Sequence, residues 1–153
     1  MRRPVLIVIF FLGVALVVGT ATRGSTQLEK PGTIRVSTRT VAKRFLDRGS
    51  RGRGPGDVLI MRQLLYNRGI TPKPIGHSDL ACTYTAPFAR LCSGTFTFPK
   101  GKIVVSGSAT YRQFYELAVI GGTGLYDNVR GSMTVTLLAR RPTRELLLFR
   151  LVV

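Results

Sequence analysis

Glu116 is the residue whose neighbours best equip it to act as a general acid or base. In the run Phe114–Ile120, side chains alternate between the two faces of a predicted strand, and Glu116 shares its face with apolar neighbours. If that face lines an apolar interior, the carboxylate could exchange a proton with a ligand. In the alternative arrangement, the face with Tyr115 and Leu117 is interior and Glu116 lies on the surface.

Tyrosines and one arginine supply the other groups that could orient a ligand. A tyrosine at the edge of a cavity combines an apolar ring with one hydrogen-bonding hydroxyl. We therefore expect Tyr66 and Tyr84 to bind ligand, with ordinary aromatic packing as the alternative for each. Tyr126 and Arg130 are candidate catalytic residues, the first to orient the ligand and the second to offset developing negative charge. Arg130 has the alternative role of holding turn carbonyls.

Three other kinds of site find no support in the sequence. His77, Ser78 and Asp79 are adjacent, but no recognisable nucleophile motif accompanies them, so a hydrolytic triad is not predicted. His77 is the only histidine, which prevents a His/Cys metal cluster, and no metal is expected. The glycine-rich run at residues 121–124 lacks the lysine and the helix of a phosphate-binding loop.

Strand patterns fill the chain after its apolar beginning. Segments rich in β-branched and aromatic residues occur eight times between residues 33 and 153, separated by short connections. One connection, Gly121-Gly122-Thr123-Gly124, is expected to form the tight turn of a hairpin. No segment shows a helical period. The pattern predicts an eight-stranded antiparallel β-barrel, which leaves no exposed sheet edge, with a β-sandwich as the alternative.

Three segments resemble the allene oxide cyclase and dirigent proteins, including their bacterial relatives. The run Gly121–Gly131 is similar to their GGTG-aromatic signature, which ends in Arg-Gly. Gly54-Pro55-Gly56-Asp57 precedes an apolar strand as in that family, and Cys92–Ile103 is similar to one of its hairpins. The order and spacing of the three segments also agree, and the resemblance covers residues 33–153. The resemblance implies the barrel rather than the sandwich.

The resemblance also implies a class of function. The cyclases hold an unstable fatty-acid epoxide inside the barrel and steer its ring closure by orientation and exclusion of water. Dirigent proteins hold phenoxy radicals or quinone methides and impose stereochemistry on the product. Both groups work without a metal or an organic cofactor, so the expected cofactor is none, and plant members are commonly homotrimers. Asp127 stands where dirigent proteins usually carry an arginine.

The first 21 residues are predicted to form a secretory signal peptide, a helix outside the domain. A basic start, Met1-Arg2-Arg3, precedes the apolar run Pro4–Gly19, and small residues follow. A spanning helix needs about 20 apolar residues, so this run is short for the alternative of an uncleaved membrane anchor. We expect a secreted or extracytoplasmic protein with a flexible lead-in at residues 22–32 and one barrel domain at residues 33–153.

The two cysteines, Cys82 and Cys92, are expected to form a disulfide. Export would permit the bond. Residues 84–91 would connect a hairpin, which places the two cysteines across from each other on adjacent strands. Two separate buried thiols are the alternative.

The chain is strongly basic, with a formal net charge of +16. Such a charge attracts nucleic acids, acidic lipid headgroups and wall polymers. The sequence has no nucleic-acid-binding motif, and its basic loop at residues 48–54 has no aromatic residue for base stacking. We expect no specific nucleic-acid partner, and association with an anionic cell envelope extends the prediction of a solvated basic surface.

Together these features predict a barrel that binds a small hydrophobic ligand and guides its cyclisation or stereoselective coupling, as an isomerase would. One alternative is a non-catalytic barrel that carries a lipid or metabolite in the cell envelope. Another is a structural barrel with a filled core and a basic surface. A solid interior would exclude both ligand-binding functions, whereas an open pocket with a buried acid would favour catalysis.

Overall fold

The computed structural model describes residues 32–49, 51–67, 73–111 and 113–152. The predicted signal helix at residues 1–21 lies outside the described residues, as does the predicted lead-in apart from Gly32. In the part of the chain that is described, no helix has the length and apolar character needed to cross a membrane.

Eight strands form a closed antiparallel sheet. They are β1 (Gly32–Leu46), β2 (Val58–Asn67), β3 (Gly76–Tyr84), β4 (Arg90–Phe98), β5 (Gly101–Ala109), β6 (Phe114–Gly124), β7 (Arg130–Arg140) and β8 (Thr143–Val152). Each strand pairs with the next, and β8 pairs with β1 to close the barrel. The predicted eight-stranded antiparallel barrel is confirmed, and the sandwich alternative is wrong.

The connections between strands lie at two opposite ends of the barrel. The β1–β2, β3–β4, β5–β6 and β7–β8 connections share one end, which we call the open end. The β2–β3, β4–β5 and β6–β7 connections share the other, which we call the packed end. The two ends have different contents.

Aromatic side chains fill the interior toward the packed end. The rings of Phe96 and Phe149 are fully buried and lie 5.2 Å apart, nearly at right angles. Phe98 lies 6.0 Å from Phe149 and 5.6 Å from Tyr126 in the β6–β7 turn. Edge-to-face contacts of this kind add to the stabilisation from burial. The same hydrophobic cluster includes other buried side chains, among them Leu65, Ile103, Val119, Met133 and Leu151.

A disulfide joins β3 to β4. Cys82 and Cys92 are direct cross-strand partners, and their sulfur atoms are 2.06 Å apart. The predicted disulfide is confirmed. The next interior-facing pair toward the open end is Tyr84 and Arg90, so the bond ties together the two strands that carry them.

The turn predicted at Gly121–Gly124 is four residues too early. β6 continues through Gly124, and the turn itself comprises residues 125–128. The glycines instead allow close backbone contact, because a Cβ at Gly122 would collide with the carbonyl oxygen of Tyr126. Gly124 has a φ of 65°, a left-handed conformation that favours glycine. The glycine run therefore ends a strand rather than forming the turn.

Candidate functional site

A cavity of about 540 Å³ occupies the open end of the barrel, and we call it the inner cavity. Its volume lies within the range of about 300–1,000 Å³ that is typical of small-molecule sites. Its apolar wall consists of Phe45, Leu59, Met61, Tyr84 and Leu137. Its charged side chains are Lys43, Arg53, Arg90, Arg140 and Glu145.

Glu145 is the buried acid of the inner cavity. It lies on the interior face of β8, and only 8% of it is exposed. Burial raises the pKa of Glu145, and the hydrogen bond from Gln63 and the positive charges of Arg90 and Lys43 offset part of that rise. Compared with an ordinary glutamate, Glu145 therefore keeps its proton to higher pH. A carboxyl group with this property can act as a general acid or base.

A chain of polar side chains crosses the interior beneath Glu145. Gln63 Nε2 donates to Glu145 Oε2 at 2.6 Å, and Ser78 Oγ donates to Gln63 Oε1 at 3.1 Å. Strand register explains the cluster, since Gln63 is paired with Thr40 on one side and with Ser78 on the other. Because all of these groups are buried or half-buried, their hydrogen bonds fix the orientation of the carboxyl group.

Arg90 and Tyr115 place a cation and a phenol close to Glu145. The Arg90 guanidinium carbon lies 5.4 Å from the centroid of the Tyr115 ring, within the range of a cation–π contact. Burial and the nearby Glu145 raise the pKa of Tyr115, and Arg90 offsets part of the rise, so the phenol remains a hydrogen-bond donor. Arg90 is only 7% exposed, and its buried Nε has no hydrogen-bond partner among the described residues.

A second cavity of about 540 Å³ adjoins the first at the edge of the barrel, and we call it the rim cavity. Phe88 and Tyr111 line it and are 80% and 74% exposed. Both cavities are lined by the same four side chains, Arg53, Tyr84, Arg90 and Arg140. Three guanidinium groups therefore stand where the two cavities meet.

The β1–β2 connection brings Arg53 to this junction, and Asp57 fixes that connection. The backbone N–H groups of Arg48 and Gly54 donate to the two carboxylate oxygens of Asp57, each at 2.8 Å. These hydrogen bonds lower the pKa of Asp57, with that from Arg48 contributing most. The backbone of Asp57 also accepts a hydrogen bond from the N–H of Tyr84 at 2.8 Å. A glycine-rich basic loop thus acquires a defined path across the opening.

The structure decides between the two face assignments that the sequence left open for Glu116. Glu116 is exposed on the outer face of β6, while Tyr115 and Leu117 face the interior. The alternative face assignment is the observed one. Glu116 therefore does not face the interior as a catalytic residue would, and its apolar neighbours Phe114 and Ile120 are exposed with it on the outer face of β6.

The remaining predicted residues lie at different places in the barrel. Tyr84 lines both cavities at the open end, and its role in ligand binding stays a prediction. Tyr126 and exposed Arg130 lie at the packed end, away from the two cavities. Tyr66 is buried, but it is next to interior Leu65 on β2 and so faces outward, paired with Ser37. Among the five predicted residues, only Tyr84 contributes to the cavities described above.

Sequence reasoning did not find Glu145, Gln63 or Arg90. A usable signal was present for Glu145, because it alternates with Leu147, Phe149 and Leu151 on one face of β8. This alternation places Glu145 on an apolar strand face, as the alternation around Glu116 does in β6. Gln63 and Arg90 lie in segments with mixed patterns, and only strand register brings them near Glu145.

Comparison with solved structures identifies the fold. A pyocyanin demethylase is similar over 78% of this chain and 99% of its own, with a TM-score of 0.70 and 24% identity. A pterocarpan synthase dirigent protein is similar over 82% of this chain and 96% of its own, with a TM-score of 0.64 and 16% identity. A Diels-Alderase from Streptomyces koyangensis has a TM-score of 0.58 and 12% identity, over 80% of this chain and 69% of its own.

At these identities the likeness concerns the fold, which is that of the allene oxide cyclase and dirigent-like barrels. No protein-family model and no curated protein matches the chain. Different proteins with one fold can carry out different chemistry, so function has to be argued from the site itself.

Proposed function

We propose, from the premise that the chain folds as a dirigent-like barrel, that it binds a small hydrophobic molecule in the inner cavity and guides its cyclisation or stereoselective coupling. The observation that carries the proposal is a buried, hydrogen-bonded carboxyl group, Glu145, in a cavity with apolar walls. Structural neighbours named as a pterocarpan synthase dirigent protein and a Diels-Alderase support it, because each name describes control over ring formation or coupling.

The cavity would act mainly by orientation. Apolar walls that include Phe45 and Tyr84 would hold the ligand in one conformation and exclude water from it. The Tyr84 hydroxyl would orient the ligand through a hydrogen bond. Both roles would be filled by side chains of the cavity itself.

Glu145 would supply the proton transfer. Gln63 occupies Oε2, so the proton of a neutral Glu145 would be on Oε1. Oε1 would donate this proton to an oxygen of the ligand as negative charge develops there, and the carboxylate would take a proton back when the product forms. Arg90 would stabilise the intermediate carboxylate by its charge.

Native mass spectrometry of the protein purified from its own host tests the binding half of this proposal. We expect a co-purifying small molecule on the wild-type protein and on a Leu138→Trp control. It should be lost from Leu137→Trp, because Leu137 lines the inner cavity while Leu138 is exposed. A mass adduct that persists in Leu137→Trp would place the ligand elsewhere and contradict the proposal.

Turnover of the identified molecule tests the catalytic half. Glu145→Gln should retain the ligand and slow its conversion by about 10²-fold or more, a typical contribution of general acid–base catalysis. Glu116→Gln, which changes an exposed glutamate on β6, serves as the matched control and should react at the wild-type rate. Release of an unaltered ligand by the wild-type protein would support the carrier alternative.

We also propose that residues 1–21 are a signal peptide and that the mature protein is extracytoplasmic. The apolar run after a basic start supports this. N-terminal sequencing of the protein from its host tests it, because the mature chain should begin near residue 22. Homotrimer formation and association with an anionic envelope stay predictions.

A further inference from the structure

The charges around the inner cavity are unbalanced. Four of its side chains carry positive charge, namely Lys43, Arg53, Arg90 and Arg140, against the single acid Glu145. Burial raises the pKa of Glu145, and even when this acid is ionised it balances only one of the four positive charges. An apolar ligand alone would leave the excess positive charge without a partner.

The arginines at the junction of the two cavities lack acidic partners. Among the described residues, no ion pair joins Arg53, Arg90 or Arg140 to a carboxylate. Arg90 is 7% exposed and its buried Nε has no hydrogen-bond partner there. Arg90 faces the ring of Tyr115, yet its Nε is buried without an acceptor among the described residues, and a bound anion with oxygen acceptors would supply one.

The wall beside these arginines fits an aromatic ring. Phe45 and Tyr84 make an edge-to-face contact, with ring centroids 5.9 Å apart, and both line the inner cavity. Such a wall offers ring faces and edges against which a planar ligand can pack.

We propose that the ligand is an aromatic acid. Its carboxylate is bound where the cavities meet, by Arg53, Arg90 and Arg140, and its ring lies in the inner cavity against Phe45 and Tyr84. This inference rests on the proposed function, because it names the substrate class of the same cavity. The arginines fix which end of the molecule enters first, and this presents the ring to Glu145.

Calorimetric titration with a matched series of probes tests this inference. The probes are 1-naphthoate, its neutral analogue 1-naphthamide, and the aliphatic acid octanoate, all at neutral pH. We expect 1-naphthoate to bind at least about tenfold more tightly than 1-naphthamide, since one charge-assisted hydrogen bond accounts for a factor of this size. It should also bind more tightly than octanoate, which has the same carboxylate but no ring to pack against Phe45 and Tyr84. Its affinity should also fall as salt is added.

Arginine variants show whether the junction is responsible. Arg53→Gln and Arg140→Gln change exposed side chains, so both should fold, and each should weaken 1-naphthoate binding about fivefold while leaving 1-naphthamide unchanged. Arg62→Gln is the control, because Arg62 pairs with Asp79 on the outer surface at 2.9 Å and should not affect either probe.

The outcomes separate this inference from the proposed function. If 1-naphthoate and 1-naphthamide bind with equal affinity and Leu137→Trp abolishes the binding of both, the preference for an acid is overturned. The proposed binding of a ligand in the inner cavity would then still stand. Tighter binding of octanoate than of 1-naphthoate would overturn the aromatic class. No binding of any probe to the wild-type protein would overturn this inference and count against the proposed binding function as well.

Discussion

The two ends of the barrel are built from the same eight strands, but one end is filled by side chains and the other encloses a cavity. At the packed end, Phe96, Phe98 and Phe149 fill the interior, and Tyr126 covers them from the β6–β7 turn. At the open end, the interior is not filled, and the cavity there is lined by Glu145 and four positively charged side chains. The packed end therefore contributes dense side-chain packing, and the open end carries the ionisable groups that could take part in a reaction.

This difference shows how a small barrel accommodates an unfavourable site. Partly buried like charges and a desolvated acid lower the stability of the folded state, whereas dense aromatic packing raises it. The strands that carry the site continue into the packed end, so the packing there holds the site residues in register. Substitutions at the packed end should therefore mainly affect stability, and substitutions at the open end should mainly affect ligand binding.

Phe149→Ala at the packed end should give the largest effect on stability. Phe149 is fully buried and contacts two other rings, so its truncation should lower the free energy of unfolding by about 4 kcal/mol. Phe45→Ala at the open end removes a side chain that is 40% exposed, and its cost should be about 1 kcal/mol. Denaturation in guanidinium chloride measures both.

The binding consequences of these two variants should be reversed. Phe45→Ala should weaken 1-naphthoate binding, while Phe149→Ala, under conditions where it is folded, should bind the probe as the wild-type protein does. Equal stability losses for the two variants would show that the ends are not as different as their packing indicates.

Removal of the disulfide should have the next largest effect. Replacing Cys82 and Cys92 by alanine frees a loop with a sequence separation of 10, and the expected loss of stability is about 3 kcal/mol. Thermal unfolding of the two proteins with and without dithiothreitol measures it. The reductant should lower the unfolding temperature of the wild-type protein to that of the variant and leave the variant unchanged. If the variant also unfolds at a lower temperature with the reductant, the effect has a cause other than the disulfide.

Glu145→Gln should remove a pH dependence that the open end creates. The ordinary glutamate pKa is 4.5, and burial raises the pKa of Glu145 in the folded state. Between these two values the folded protein retains a proton that the unfolded chain has lost, so the free energy of unfolding falls as pH rises through that window. The stabilisation is fully present below pH 4.5 and absent above the folded-state pKa.

Urea titrations at a series of pH values measure this effect. Glu145→Gln should be more stable than the wild-type protein at neutral pH, by about 1 kcal/mol, and should lack the fall through this window. Glu116→Gln, on the outer face, should keep the wild-type profile. A wild-type stability that rises through the same window would contradict a buried acid in the cavity.

Most of the fold could be predicted from the sequence, because its signals are local. Alternation of apolar residues, short connections and the spacing of Cys82 and Cys92 predicted eight paired strands and the disulfide, and the structure has both. The glycine run was misplaced as a turn because local sequence shows that glycine is needed but not why. At Gly122 the reason is a carbonyl oxygen of the neighbouring turn.

The site was harder to predict, because it depends on which face of each strand is interior. For Glu116 a shift of one residue decides between interior and surface, and apolar residues on both faces of β6 removed the contrast. Glu145, Gln63 and Ser78 are far apart in sequence, and pairing of β2 with β3 and closure of β8 onto β1 bring them together. Tyr126 and Arg130 belong to a distinctive motif, yet that motif lies at the packed end.

The smallest predicted effect concerns the loop that carries Arg53 across the open end. Asp57→Asn leaves one acceptor oxygen where two now accept the N–H groups of Arg48 and Gly54. Trypsin should therefore cleave after Arg51 or Arg53 about fivefold faster in the variant, because the loop opens more often. Asp127→Asn, in the turn at the packed end, is the matched control and should leave this cleavage unchanged.

The same loop has a pH dependence of opposite sign to that of Glu145. Hydrogen bonds lower the pKa of Asp57 below its ordinary value of 3.8, so its stabilising contribution is present above that pH and is lost as pH falls through the folded-state value. The trypsin difference at neutral pH should therefore be complete, because wild-type Asp57 is fully ionised there. Equal cleavage rates would mean that Asp57 does not fix the loop, and Arg53 would then lose the support that places it at the junction of the two cavities.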